Sequence, residues 1–420
     1  MINRLKSDIF FRQYAVYFSG SMVVAFLNYA FHPILGRLLS PEDFGDIQAL
    51  IALIAQLAII FGVFSVIAVN VTANTENPHE RDSIIFELQK ITFWIIGIVF
   101  LFLLLSISEL RSFFNFSTTY PLIGLALILP ISAITTFRNA LLQGSGRFKH
   151  LSVAGIISSL GRLVFAVVGI LLGMGVLGAT LGIVLANVAV LIYLFRQTRD
   201  SFHLNTKTNV RVLEKGSVVR ELIYGILVFF TTSLVTIYYT SDVLIVKHYF
   251  NSVDAGLYSG ISAIAKMLFF VIGPSSAVLL SSVRMKHSYI KNNSALKKSL
   301  FTSLLIGGLG LFTFYLFSDI IVKLMIGIKY TPFAHFLPKA GLVMFLTAIV
   351  NIFFFYFLAL RRFFLIAVSL FGMFFMGFIL LQDHANIDSI LNNLILSLTI
   401  ILITLTVAHA KDYFNHSSHT

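Results

Sequence analysis

The chain has 420 residues, of which 58% are hydrophobic and only 11% charged, with a mean hydropathy of +0.92 and a formal net charge of +12. That much apolar surface cannot be hidden inside one soluble core of this length, so the composition excludes a soluble globular enzyme and turns the positive charge into a question of membrane topology rather than of nucleic acid. Cysteine is absent, which excludes a disulfide framework, a thiolate metal site and a cysteine nucleophile.

The first residues, MINRLKSDIFFRQYAVYFSGSMVVAFLNYAF, start basic, but the apolar stretch is too long for a signal-peptide core and no A-x-A site follows. The segment is expected to be retained as the first helix. Apolar windows long enough to cross about 30 Å of hydrocarbon then recur between charged or turn-rich breaks. They predict spans near residues 12–36, 45–71, 90–108, 119–142, 150–172 and 177–195, and again near 221–246, 256–282, 299–318, 334–359, 363–381 and 390–409. The sequence carries no ten-residue alternating strands, so the spans are read as helices. Pro130 and Pro274 are expected to interrupt and kink the fourth and eighth spans.

The longest connection, Arg196 to Arg220, is basic and falls between the sixth and seventh spans. Sliding the second half onto the first by 211 residues aligns LGRLLSPEDFG (Leu35 to Gly45) with VKHYFNSVDAG (Val246 to Gly256), and also aligns Gly62 with Gly273. Each string ends one span, turns, and starts the next. Ser40 with Asp43 and Asn251 with Asp254 have the spacing of an N-cap and its partner three residues on, and Pro41 suits a first helical position. The cluster of Glu42, Asp43 and Asp46 is therefore read first as helix-start chemistry, favoured by the positive end of the helix dipole. The predicted fold is an all-α integral membrane protein with about twelve transmembrane helices in two parallel six-helix lobes around a central cavity. Its parts are an N-terminal lobe at 1–195, a basic linker at 196–220, a C-terminal lobe at 221–410 and a polar tail at 411–420.

Three ionisable residues inside predicted spans are candidates for a functional role. Lys266 lies ten residues beyond Gly256, about 15 Å along its helix and near mid-membrane. Arg162 lies in the inner third or near the centre of the fifth span. Cations at such depth face a bundle interior or a wet cavity. One in each half suits an anionic, phosphate-bearing cargo held in a cationic cleft, since guanidinium and ammonium groups bind phosphate oxygens; structural pairing or snorkelling is the plainer alternative. Asp242, in the outer part of the seventh span, is the candidate for ion coupling to a proton or Na+, and equally for pairing with Lys247 or Lys266. No metal site and no cofactor is expected: the eleven histidines show no H-E-x-x-H spacing, and GSGRFKH lacks the further residues of a phosphate loop. The basic stretches RMKHSYIKNNSALKK and Arg196 to Arg220 are read as topology determinants, with contact to anionic membrane lipids as the second reading.

LGRLLSPEDFGDIQAL, ALLQGSGRFKHLSVAGIISSLGRLVFAVVG and DVLIVKHYFNSVDAGLYSGISAIAKMLFFVIGP resemble the Wzx-type polysaccharide flippases of the multidrug/oligosaccharidyl-lipid/polysaccharide exporter superfamily. The resemblance implies a non-enzymatic protein of the bacterial inner membrane that moves an undecaprenyl-diphosphate-linked oligosaccharide, of the O-antigen or capsule kind, to the outer leaflet by alternating access. It implies a cationic cavity at Lys266 and Arg162, an aspartate at Asp242, and polysaccharide assembly proteins as further partners. Three other readings stay open, one of them an assembly scaffold without transport, against which the buried charges count. A cation-coupled drug or small-metabolite antiporter would share the architecture but call for more intramembrane carboxylates. A membrane glycan polymerase or ligase would call for a long outer loop, whereas the longest here, about Asp319 to Thr331 and at most to Pro338, is short.

With the N-terminus in the cytoplasm, 22 of the 30 Lys and Arg residues fall on the inner side and 6 outside or at outer helix ends, while Arg162 and Lys266 stay within spans. This bias puts both termini inside. Reporter fusions after Arg199 and Lys298 are expected to read as cytoplasmic and fusions after Ser40 and Asn251 as external; a swapped result at either pair overturns the orientation.

Overall fold

A computed structural model of the chain describes residues 9–75, 78–199, 215–283 and 289–417. Among the described residues there is no strand, and twelve helices are long and apolar enough to cross a membrane. The protein is thus an all-α, multi-pass membrane protein. The chain divides into two compact units, Met1–Gly225 and Ile226–Thr420.

The first unit holds α1 (Ile9–Leu38), α2 (Pro41–Asn74), α3 (Pro78–Leu105), the short α4 (Ile107–Phe113), α5 (Tyr120–Gly144), α6 (Phe148–Leu171) and α7 (Gly175–Thr198). Partway along α8 (Lys215–Tyr249) the chain passes into the second unit, with α9 (Ser252–Ser282), α10 (Tyr289–Met325), a 3-10 segment η1 (Ile328–Phe336), α11 (Leu337–Ala359), α12 (Phe364–Gln382) and α13 (Ile387–Ser417). The seam therefore falls inside α8. Of the predicted linker at 196–220, the central residues 200–214 lie outside the described residues.

The repeated box closes both helical hairpins in the same way. Ser40 and Asn251 share one extended backbone conformation, φ −62° and ψ 158°, at the N-caps of α2 and α9. The Asp43 N–H donates to Ser40 Oγ at 3.1 Å and the Asp254 N–H to Asn251 Oδ1 at 2.9 Å. Each bond satisfies one of the amide groups that a helix start leaves without an internal acceptor. Asp46 acts at longer range. Fully buried, it accepts from the Ser117 N–H at 3.0 Å and from the Ser117 hydroxyl, while Arg111 Nη2 donates to the Ser117 carbonyl at 2.9 Å. The third acid of the cluster thus ties the start of α2 to the turn that precedes α5.

Within each unit some helices are central and others face outward. The α9 and α11 spans are each 67% buried, whereas that of α10 is 17% buried and exposes Phe301, Leu309 and Tyr315 along its length. In the first unit α5 has the central place at 56% buried, packed on α2, α3 and α7, while Trp94, Phe102 and Leu105 of α3 are exposed. Apolar side chains on the outside are what a lipid environment requires, but lipid supplies no hydrophobic drive between helices. Close approach of small residues does that work. A Cβ on Gly178 of α7 would lie 2.5 Å from the Gly169 carbonyl carbon of α6, and one on Gly182 would lie 2.3 Å from the Ala166 nitrogen.

Several sequence expectations are corrected. Pro130 and Pro274 do not interrupt their helices: α5 and α9 run through them, as membrane helices can when neighbouring groups satisfy the freed carbonyls. The departure from helical dihedrals in a span occurs instead at Phe317 of α10, φ −126° and ψ 25°. The third span begins near Arg81, earlier than residue 90. The tail predicted at 411–420 continues α13 as far as Ser417, anchored where Arg362 meets Asp412 at 2.9 Å; the last three residues lie outside the described residues.

The packing makes a graded prediction for the purified protein. Gly182→Ala and Gly178→Ala push a methyl group into backbone that cannot swing aside and are expected to lower stability by about 1–3 kcal/mol. Gly62→Ala and Gly273→Ala, where a Cβ meets nothing within 4 Å, should be neutral or raise it by up to about 1 kcal/mol. Thermal unfolding in detergent that ranked the two pairs in the opposite order would contradict the α6–α7 contact.

Candidate functional site

In the C-terminal unit the site is built on the α8–α9 hairpin. The box fixes the turn between these helices, so residues at similar distances either side of it come level. Asp242 of α8 thereby meets the face of α9 that carries Tyr258, Ser262 and Lys266, each four residues after the last. The Tyr258 hydroxyl donates to Asp242 Oδ2 at 3.1 Å, and the Ser262 hydroxyl donates to the same oxygen. The other oxygen, Oδ1, stands 3.6 Å from Lys266 Nζ. Asp242 is wholly buried while the Lys266 side chain is 14% exposed. Lys266 is therefore the less deeply buried partner of the pair. Of the alternatives left open for Asp242, the structure forms the pair with Lys266. Lys247, counted by sequence among outer-side cations, is fully buried in the last turn of α8, where a positive charge suits the helix dipole.

In the N-terminal unit Arg162 sits beyond the middle of α6 and faces α1. Its Nη2 donates to Asn28 Oδ1 at 2.9 Å, and its guanidinium carbon lies 4.4 Å from the centroid of the Phe31 ring. The ring offers a cation–π contact but no countercharge. Among the described residues no carboxylate reaches ion-pairing distance of Arg162, and its Nε has no hydrogen-bond partner. Close by, Gln48 of α2 donates to His32 Nδ1 at 2.9 Å, which adds a polar pair to the apolar surroundings.

The two cations stand at non-equivalent places in the repeat, Lys266 matching Ala55 and Arg162 matching Met373, but the groups that face them share one position. With the shift of 211 residues, Phe31 and Asp242 are equivalent positions. Each faces its own unit's intramembrane cation, one with an aromatic ring and the other with a carboxylate. The N-terminal cluster thus keeps a net positive charge and the C-terminal pair is balanced. Sequence reasoning singled out Asp242, Lys266 and Arg162 but missed Tyr258, Ser262, Asn28 and Phe31. The four-residue spacing of Tyr258, Ser262 and Lys266 was a readable signal; the partners of Arg162, from a helix more than a hundred residues away, left none.

The matches to known proteins agree with a transporter scaffold. A family model described as polysaccharide biosynthesis protein matches residues 10–281. No curated protein matches the chain. Among solved structures, the chain is similar to the inward-facing conformation of a multidrug resistance MATE family transporter of the MOP superfamily, at 12% identity, covering 96% of this chain and 99% of that one with a TM-score of 0.71. It is also similar to the MATE multidrug transporter DinF-BH, at 16% identity, 95% and 94% coverage and a TM-score of 0.66. A MOP superfamily transporter from Pyrococcus furiosus, described as having a binding pocket of reverse polarity, matches at 14% identity over 94% and 93% with a TM-score of 0.54. At these identities the structures speak for the fold, and the family match speaks for descent. Since that match spans more than half of the sequence, the chain belongs to the polysaccharide biosynthesis protein family, the Wzx-type flippases.

Proposed function

We propose that the protein translocates an undecaprenyl-diphosphate-linked oligosaccharide from the cytoplasmic to the outer leaflet of the bacterial inner membrane by alternating access, for surface polysaccharide synthesis, with both termini in the cytoplasm. The observation that carries the reading is Arg162: a guanidinium within a membrane span whose partners are an amide and a ring, with no carboxylate among the described residues. A cation near mid-membrane costs at least about 2.5–3.5 kcal/mol on insertion scales, so its retention calls for an offsetting ligand. A diphosphate supplies acceptor oxygens that match the planar fork of a guanidinium, and Lys266 supplies a second, more mobile cation.

The antiporter reading depends on Asp242 as the acceptor of a cationic drug or coupling ion. That carboxylate already receives two hydroxyls and stands beside Lys266, an arrangement that disfavours another cation. The polymerase or ligase reading depends on an extended outer loop. The segment in question is taken up by the end of α10, the compact η1 and the start of α11.

Complementation of a flippase-deletion strain provides the test. Arg162→Ala and Lys266→Ala are expected to insert normally yet to lower surface glycan more than about tenfold, or about 1.4 kcal/mol of transition-state stabilisation, with lipid-linked repeat units accumulating in the cytoplasmic leaflet. Lys266→Arg should retain part of the export. Wild-type glycan from both alanine variants would remove the cationic reading.

A further inference from the structure

Resting on that reading, we infer that Asp242 is an internal stand-in for the cargo's anion, holding Lys266 between transport events and competing with a polyprenyl diphosphate for it. The geometry of the cluster is unequal in the way such competition needs. Asp242 is secured by neutral donors: both of its hydroxyl bonds go to Oδ2, from Tyr258 and Ser262. Lys266 meets the opposite oxygen at 3.6 Å, well beyond the roughly 2.8 Å of a close ammonium–carboxylate bond. When Lys266 swings away, the buried carboxylate keeps its two hydroxyl donors, which offset part of the cost of losing its cation, whereas an aspartate held by the lysine alone would be stranded. Lys266 is also the less deeply buried partner, and its ammonium rides on a flexible four-carbon stem.

The N-terminal unit shows the contrast. At the position equivalent to Asp242 it has Phe31, so Arg162 has no built-in anion to leave. Arg162 is a standing cation for the cargo and Lys266 a conditional one. A carrier has to release what it binds, and a cation left permanently unopposed would hold a diphosphate too well. Recapture of Lys266 by Asp242 lowers the affinity at that contact without adding any group to it. Asp242 is then a positioning residue that acts through Lys266, not a cation-binding carboxylate.

Binding of farnesyl diphosphate to the purified full-length protein in nanodiscs, measured by calorimetry, tests this. Asp242→Asn should bind the probe about tenfold more tightly, and adding Lys266→Ala should abolish that gain. Arg162→Ala should weaken binding by a similar factor in the wild-type and Asp242→Asn backgrounds. Ser262→Ala gives a check of opposite sign: with one neutral donor gone, Asp242 leans harder on Lys266, so binding should fall about twofold to threefold. Unchanged or weaker binding by Asp242→Asn, or unchanged binding by Ser262→Ala, overturns the competition, and the cationic reading survives if Lys266→Ala and Arg162→Ala still weaken binding. If neither alanine variant changes binding, it is the cationic reading that fails.

Discussion

A charge inside a membrane span has to be answered by something close to it, because neither lipid nor apolar side chains solvate it. The two intramembrane cations that the sequence places deepest, Arg162 and Lys266, are answered differently. Lys266 faces the carboxylate of Asp242 on the adjoining helix, itself tied down by Tyr258 and Ser262. Arg162 faces an amide oxygen and the ring of Phe31. Phe31 and Asp242 stand at one repeat position, so a ring in one unit and a carboxylate in the other face cations that come from non-equivalent helices. The surplus positive charge in the first unit, with the opening proposed for the pair in the second, is the basis on which an anionic cargo is proposed.

The scaffold keeps these groups where the chemistry needs them. Asp242 and Lys266 meet because the α8–α9 turn is fixed, and the Asn251 cap with its bond from the Asp254 amide fixes it. The matching Ser40 cap sets the α1–α2 turn and therefore the part of α1 that carries Asn28 and Phe31. Arg162 is held by the contact of α6 with α7, where Gly169, Gly178 and Gly182 let backbones approach too closely for any side chain to intervene. Asp46 performs a related task, joining the start of α2 to Ser117 ahead of α5. The acidic cluster at the start of α2 is thus explained by capping and tethering.

Much of this was legible in the residues. Hydropathy windows located the spans because a helix in lipid must be apolar over its whole length, and the box was legible because capping demands particular side chains at particular spacing. Asp242 and Tyr258 lie about equally far from the turn at Asn251, so a hairpin brings them level, and the four-residue rhythm then aims Ser262 and Lys266 at the same helix. What stayed hidden depends on contacts between helices distant in sequence, such as Arg162 with Asn28 and Phe31, or on context that overrides a local rule. Pro130 and Pro274 break helices in water but not here, and the polar end of α13 stays helical with Asp412 paired to Arg362.

The central claim is that the protein recognises its cargo by negative charge at the lipid linkage. Translocation by the reconstituted protein in proteoliposomes, followed with a fluorescent oligosaccharide linked to a polyprenyl carrier either through a diphosphate or through an uncharged ether, examines that claim directly. The account predicts that the diphosphate-linked compound is moved and the ether-linked one is not, with Arg162→Ala erasing the difference by lowering the first. Equal movement of both compounds by the wild-type protein would contradict it.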